Sequence, residues 1–164
     1  MTPLIALSGA RAGYGGRNVL REISLVVRPG DRIALVGPSG AGKSTLLKLL
    51  YENAMAPAAM TPQDFGLVPS LSVFHNVFMG QLHKRSWLSN LSTLLYPAQR
   101  DVAAVSRIAE RLGLAEKLFT PAGELSGGQQ QRTAVGRALF QAADVVLADE
   151  PVSAVDEHQS RDVL

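Results

Sequence analysis

The chain has 164 residues, of which 46% are hydrophobic and 18% charged, so its size and composition are those of one folded domain with a sizeable core. The net charge of +2 does not indicate a nucleic-acid-binding surface, and the lack of cysteine excludes disulfides and thiolate metal sites. No apolar run approaches the length needed to cross a bilayer, so a role at a membrane is expected to depend on a partner.

The N-terminal third of the sequence predicts three strands and a helix. Residues 4–8 and 19–27 predict strands on either side of a glycine-rich turn at 13–16. Residues 32–36 form a short apolar run, which is typical of a buried parallel strand. A helix is expected over about 42–51.

The remainder of the sequence is mainly helical in pattern. Residues 72–81 and 101–112 predict helices, and residues 82–100 predict a helix that Pro97 ends. A helix beginning after Ser126 precedes a strand at 145–148, and a further helix is expected from Asp156. This order is typical of an α/β fold with a mainly parallel sheet flanked by helices.

A glycine-rich loop between the predicted strand 32–36 and the first helix fits the full phosphate-loop (P-loop) pattern. Its glycines let backbone N–H groups wrap phosphates, and the helix that follows adds the positive end of its dipole. Lys43 can reach the β- and γ-phosphates, and Ser44 offers an oxygen to Mg²⁺. The P-loop consists of Gly37, Pro38, Ser39, Gly40, Ala41, Gly42, Lys43, Ser44 and Thr45.

Two carboxylates end the predicted strand 145–148. Asp149 is placed to hold Mg²⁺, and Glu150 is placed to orient or deprotonate an attacking water. Taken alone, the pair fits a solvated strand end equally well. Its place after a P-loop in the same chain favours the catalytic interpretation.

The run from Leu125 through Ser126, Gly127, Gly128 and Gln129 predicts a helix N-terminus that Ser126 caps. Apolar residues at helical spacing follow it, and the exposed N–H groups of such a helix start form an anion site. These five residues match the signature motif LSGGQ, and the chain here resembles the ATP-binding cassette (ABC) family.

The resemblance implies a P-loop NTPase fold with a β-subdomain near the N-terminus and a helical subdomain, at about 64–140, that carries the signature. It implies one nucleotide-binding domain over 1–164, ATP with Mg²⁺ as ligands, and ATP hydrolysis coupled to transport. Residues 77–82, the stretch 85–95 with Trp87, and the signature are similar to the ATPase subunits of phosphonate importers.

Three further residues take their roles from this resemblance. Gln63 matches the Q-loop glutamine that touches Mg²⁺ and the water, Asp156 matches the D-loop aspartate at the dimer interface, and Tyr14 matches the aromatic residue that stacks on adenine. The residues alone leave other readings open. Gln63 could be a polar loop residue, Asp156 a helix N-cap, and Tyr14 a turn tyrosine.

The sequence departs from the family pattern at two places. The stretch between Lys43 and Gln63 is short, so the β-subdomain is expected to be reduced. The chain also ends before the family's switch histidine, and His158 lies too close to Glu150 to replace it. The expectation is a fragment of a longer product that binds nucleotide better than it hydrolyses it.

In this family two copies face each other head to tail, so the resemblance implies that Ser126 to Gln129 complete the ATP site of a second copy. Residues 74–79 would pass the motion to permease subunits, which places the chain peripherally on the cytoplasmic face of the membrane. No nucleic-acid partner is expected. A non-transport ABC ATPase, or a truncated binding subunit without turnover, are the alternatives. The solute, the transport direction and the permease are not specified.

Overall fold

The computed structural model describes residues 2–14 and 17–149, with the backbone alone for Tyr14, Arg17 and Asn18. The described residues form two compact units. Unit 1 consists of the residues up to Met60 together with Ala143–Asp149, and unit 2 consists of Thr61–Ala142. None of the helices in these ranges has the length and apolarity of a bilayer-spanning helix. The elements are β1 (Ile5–Tyr14), β2 (Arg17–Val27), α1 (Lys43–Glu52), β3 (Ala58–Thr61), α2 (Val73–Phe78), α3 (Trp87–Leu95), α4 (Gln99–Arg111), α5 (Gly127–Gln141) and β4 (Val145–Ala148).

An antiparallel hairpin of β1 and β2 opens unit 1, with Ile5 opposite Val27 and Tyr14 opposite Arg17. Both predicted N-terminal strands are confirmed, and β1 is longer than predicted. The register shifts after Leu7, where Gly9 has a φ of 57° and its amide donates to Ser24 Oγ at 3.0 Å. A residue in this left-handed conformation kinks the strand, and glycine adopts it without steric cost.

The core of unit 1 joins helix α1 to the hairpin and to β4. Strands β3 and β4 pair, and the amides of Asp144 and Val145 donate to the Pro57 carbonyl at 2.9 and 3.2 Å, so both strands begin at the same end of the pair. The alternating burial of β4 confirms the predicted strand. The buried core residues are Ile5, Leu7, Leu47, Leu50, Val145 and Leu147.

The strand predicted for residues 32–36 is wrong. These residues are coil, with Ile33 49% and Val36 94% exposed, and only Leu35 packs against the unit 1 core. An apolar run becomes a strand only where another strand supplies hydrogen bonds to it. Among the described residues β4 pairs with β3, and no strand pairs with 32–36.

Unit 2 is built from helices α2 to α5, which confirms helices near 72–81 and 101–112. Helix α2 ends early and continues as a 3₁₀-helix, Met79–Lys84, and the helix predicted for 82–100 shortens to α3. At Gly136 of α5, an added Cβ would lie 3.1 Å from both Leu112 Cδ1 and Val77 Cγ2, so the helices approach closely there. The core consists of Val73, Phe74, Val77, Phe78, Val105, Ala109, Leu112, Leu114, Leu118, Ala122, Leu125 and Phe140. The helical subdomain predicted at about 64–140 lies inside this unit and stays a prediction.

Candidate functional site

The P-loop lies between the coil at 31–36 and helix α1, and two of its glycines have left-handed backbone conformations. Gly40 has a φ of 77° and Gly42 a φ of 92°, conformations that residues with a side chain rarely adopt. An added Cβ at Gly42 would also lie 2.9 Å from Val19 Cγ1 of β2. Gly42 therefore allows the loop to pass close to the hairpin and enter α1.

Lys43 is the first residue of α1, and its side chain turns back over the P-loop. Its Nζ donates to the carbonyl oxygens of Gly37 at 2.9 Å and Pro38 at 3.0 Å. Ser44, the next residue, is exposed in the first turn of the helix. The ammonium group and the helix N-terminus suit phosphate oxygens, and the hydroxyl oxygen beside them suits a hard cation.

A cleft of about 110 Å³ lies between the end of β1 and helix α1. Ala12 and Gly13 line it on the strand side, and Thr45 and Lys48 on the helix side. Tyr14 is the last residue of β1, so its backbone follows directly on the lining residues. The predicted adenine-stacking residue is therefore carried by the strand that runs beside the P-loop helix.

Asp149 directly follows β4 and is half-buried in unit 1. Strand β4 packs in the same core as α1, so unit 1 contains both the P-loop and the predicted Mg²⁺ carboxylate. The predicted residues Glu150 and Asp156 lie outside the described residues. Within those residues, no group of three or more histidine, cysteine or carboxylate side chains forms a ready metal site.

The signature motif begins helix α5 as predicted. The Ser126 side chain accepts a hydrogen bond from the Gln129 amide at 3.3 Å, and Gln129 Oε1 accepts from the Ser126 amide at 3.0 Å, which completes a capping box. Leu125 is 7% exposed and belongs to the unit 2 core. Ser126 and Gly127 are exposed, so the core anchors the motif while its helix start faces solvent.

Gln63 begins the turn of residues 63–66 that follows β3, and it is exposed. Arg137 of α5 forms hydrogen bonds to this turn: its two terminal nitrogens donate to the carbonyls of Gly66 at 2.7 Å and Phe65 at 2.6 Å. Phe65 has a φ of 60°, which is an outlier for a bulky residue. Burial lowers the pKa of Arg137, with an opposing effect from Asp64, and the guanidinium remains charged.

Arg137 was not predicted as a functional residue. It lies three turns along α5 from the signature, and the contact joins positions 71 and 72 residues apart in sequence. A helix interior gives no local signal for such a contact. Asn76 is a similar case: it is fully buried and bonds the backbone of Val68 in both directions, at 2.8 and 3.1 Å.

The comparison with known families decides the assignment. The family model described as ABC transporter matches residues 20–153. The chain belongs to the ABC transporter family. This membership confirms the predicted resemblance, which the P-loop and the signature suggested from opposite halves of the sequence.

Curated relatives point to one branch of the ABC family. The phosphonates import ATP-binding protein PhnC of Pseudomonas putida is 40% identical over 177 residues, an alignment that covers 93% of this chain and 65% of that protein. PhnC of Anaeromyxobacter dehalogenans is 35% identical over 187 residues, covering 98% of this chain and 37% of that protein. These identities confirm the predicted similarity to the ATPase subunits of phosphonate importers. The chain spans less than two thirds of the length of either relative.

One alignment shows that this chain is shorter than a relative inside the region that they share. The alignment with PhnC of Stutzerimonas stutzeri runs over 195 residues and covers the whole of this 164-residue chain. That relative therefore carries additional residues inside the matched region. The reduced β-subdomain stays a prediction.

Solved structures confirm the fold class. A metal-chelate type ABC transporter in an inward-facing conformation superposes with a TM-score of 0.80 at 26% identity, covering 99% of this chain and 66% of that chain. A bacterial ABC transporter cassette solved as a dimer superposes with a TM-score of 0.82 at 23% identity, covering 97% and 79%. The fold is therefore that of an ABC cassette, a P-loop α/β domain.

Proposed function

We propose that the chain binds ATP with Mg²⁺ at the P-loop and belongs to the ATP-hydrolysing subunit of an importer for phosphonate- or phosphate-type solutes. The observation that carries the proposal is the position of Lys43. Its ammonium group is held over the loop by two backbone carbonyls, at the N-terminus of α1. The names of the PhnC relatives support the transport role and the class of solute.

The proposed roles divide between the two units. In unit 1, Lys43 and the P-loop amides hold the phosphates, Ser44 and Asp149 hold Mg²⁺, and Tyr14 stacks on the base at the end of β1. Bound Mg²⁺ would neutralise phosphate charge and orient the terminal phosphoryl group. Glu150 orients or deprotonates the attacking water, and Gln63 touches both the ion and the water.

The signature acts on a second copy of the chain. Ser126 and Gly127 are exposed at a capped helix start, a position from which backbone N–H groups can meet an anion supplied by another molecule. In the proposed head-to-tail dimer, Ser126 to Gln129 of one copy contact the terminal phosphate in the other, and Asp156 lies at the interface. The dimer binds permease subunits on the cytoplasmic face of the membrane. Of residues 74–79, only His75 and Met79 are partly exposed and can contact a permease directly, because the other four are buried in unit 2.

Nucleotide binding is the first test. Lys43→Ala removes the ammonium group over the P-loop. Because charge-assisted hydrogen bonds to phosphate are strong, this variant should bind ATP at least about tenfold more weakly. Lys117→Ala is the matched control, because Lys117 is exposed and lies in unit 2, whereas the P-loop belongs to unit 1. Equal ATP affinity in both variants would overturn the phosphate role of Lys43.

Turnover is the second test. Glu150→Gln should leave ATP binding intact, abolish hydrolysis and accumulate an ATP-bound dimer on size exclusion. Normal turnover in that variant would remove Glu150 from the mechanism. Binding without turnover in the wild type would favour a binding subunit, and ATP-driven activity on DNA or ribosomes without solute uptake would favour a non-transport ABC ATPase.

A further inference from the structure

Helix α3 in unit 2 has its apolar side turned outward. Trp87 is 71% exposed, Leu91 53% and Leu95 70%, and these residues lie one above the other at a spacing of four. At about 100° per residue, the apolar positions fall within about 120° of the helix circumference. This surface, the α3 apolar face, consists of Trp87, Leu88, Leu91, Leu94 and Leu95.

The opposite side of α3 is polar and faces the unit. Thr93 is 4% exposed, and its hydroxyl donates to the Ser89 carbonyl at 2.9 Å. The Asn90 side-chain amide donates to the Leu82 carbonyl at 3.1 Å. A surface helix of a water-soluble domain normally buries its apolar face. In α3 the pattern is reversed, so burial within unit 2 does not account for the four leucines and the tryptophan.

Charge and aromatic placement indicate what covers this face. Residues 65–100 contain no aspartate or glutamate, but they contain Lys84, Arg85 and Arg100. The Arg100 side chain is 80% exposed, and Lys84 is exposed while its Nζ donates to the Gln141 carbonyl. The nearby Asp101 carboxylate accepts two hydrogen bonds of 2.8 Å from Arg85 and lies 3.7 Å from Arg100 Nε, so three basic residues stand against one acidic residue. The surroundings of the α3 apolar face are therefore cationic.

Two amphipathic aromatic side chains bracket the helix. Trp87 is its first residue, and Tyr96, which is 83% exposed, follows its last. Tryptophan and tyrosine favour the boundary between lipid headgroups and acyl chains, where one end of the ring is apolar and the other wet. Leucines on the same face as Trp87 and cations beyond both ends of the helix complete the pattern of a helix lying in an anionic bilayer surface.

From these observations we propose that the α3 apolar face docks on the surface of an anionic lipid bilayer, with α3 parallel to the membrane plane. The leucines and Trp87 enter the headgroup region, and the cationic flanks meet lipid phosphates. A helix of nine residues gives weak and reversible binding, so the contact orients a subunit that other partners also hold. The proposal goes beyond ATP binding and does not depend on it.

Trp87 is the only tryptophan in the chain, so its fluorescence reports on this face alone. The 164-residue chain, without nucleotide, is titrated with unilamellar vesicles of phosphatidylcholine containing phosphatidylglycerol, and with vesicles of phosphatidylcholine alone. The expected result is a blue shift of Trp87 emission and quenching by brominated acyl chains, with anionic vesicles and at low salt. Raising the salt should weaken binding.

The double variant Leu91→Ser with Leu95→Ser keeps Trp87 and should reduce partitioning by about tenfold or more, because each serine removes most of the apolar area that a leucine inserts. Both positions are exposed, so folding should be retained. Phe119→Ser is the matched control: Phe119 is 60% exposed and lies outside α3. It should bind vesicles like the wild type.

Three results would overturn the proposal. The first is an unshifted Trp87 emission with anionic vesicles. The second is a shift that grows with protein concentration in the absence of lipid, which would assign the face to a second copy. The third is a shift only in membranes that contain a permease, which would assign it to a protein partner. None of these results bears on the ATP-binding test of Lys43, so the two proposals fail separately.

Discussion

Replacing Arg137 by methionine tests whether one side chain holds the Gln63 turn against the signature helix. Methionine keeps the apolar stem and removes the donors that bond Gly66 at 2.7 Å and Phe65 at 2.6 Å. A hydrogen bond from a charged group contributes about 1.5–3 kcal/mol. Two such bonds set an upper limit of about 3–6 kcal/mol on the loss.

Two effects reduce that limit. Burial of the guanidinium, which lowers the pKa of Arg137, is a cost that methionine does not have. The turn can also relax once released, because Phe65 with a φ of 60° stores about 1–3 kcal/mol of backbone strain. The expected loss in the free energy of unfolding for Arg137→Met is therefore about 1.5–3 kcal/mol. Lysine cannot donate to both carbonyls at once, so the free energy of unfolding of Arg137→Lys should lie between those of Arg137→Met and the wild type.

Urea unfolding followed by circular dichroism measures this loss. Arg107→Met is the matched control, because Arg107 lies on the exposed side of α4 and donates only to the Ala103 carbonyl of its own helix, at 3.3 Å. The control should change stability by less than about 0.5 kcal/mol. Hydrogen exchange at residues 63–68 should accelerate in Arg137→Met alone. Equal stabilities and equal exchange in the two variants would refute the reasoning.

Three further predictions concern unit 2. Asp101→Asn should lower the free energy of unfolding by about 3 kcal/mol at pH 7, because it leaves the guanidinium of Arg85 without its carboxylate. Arg85 holds the pKa of Asp101 below its ordinary value of about 3.9, so the stabilisation is complete above that value and is lost as pH falls through the folded pKa. The free energy of unfolding should therefore depend less on pH in acid in the variant than in the wild type. Gly80→Ala should destabilise the fold by about 1–3 kcal/mol, because a Cβ there meets the backbone carbonyl of Arg137 and lies 3.0 Å from the Gln141 nitrogen. Gly136→Ala is the control: its Cβ meets only side-chain atoms, so it should cost less stability in the same urea unfolding. Ser126→Ala should cost about 1 kcal/mol through loss of the cap, and Gln129→Ala should remove much of the same energy, so a double-mutant cycle should show non-additivity; full additivity would contradict a shared capping box.

Local chemistry made part of the molecule predictable from sequence. The capping box depends on Ser126 and Gln129, three residues apart, and the start of α1 depends on the P-loop pattern itself. In each case the residues that determine the conformation are sequence neighbours. The hairpin of β1 and β2 was predicted for the same reason, since its strands flank one turn.

Features that depend on distant partners were not predictable. Residues 32–36 have the composition of a buried strand, but strand formation is decided by a neighbour and not by composition. The ion pair of Arg85 with Asp101 joins positions 16 residues apart in sequence. The hydrogen bonds from Arg137 to the turn join positions 71 and 72 residues apart. Helix α3 shows the same limit. The composition of residues 82–100 predicted a helix that Pro97 ends, but not which side of the helix would face the unit.

The long-range contacts of unit 2 concentrate at one end of the signature helix. Arg137 holds the Gln63 turn, Gln81 donates to the Phe140 carbonyl at 2.6 Å, and Lys84 donates to the Gln141 carbonyl at 2.7 Å. The other end of α5 carries the exposed Ser126. A helix of 15 residues is about 22 Å long, so these contacts lie about that distance from the signature. Within unit 2, Arg137 therefore links the Gln63 turn to the same helix that the signature begins, and Arg137→Met should speed hydrogen exchange at the turn more than at the signature.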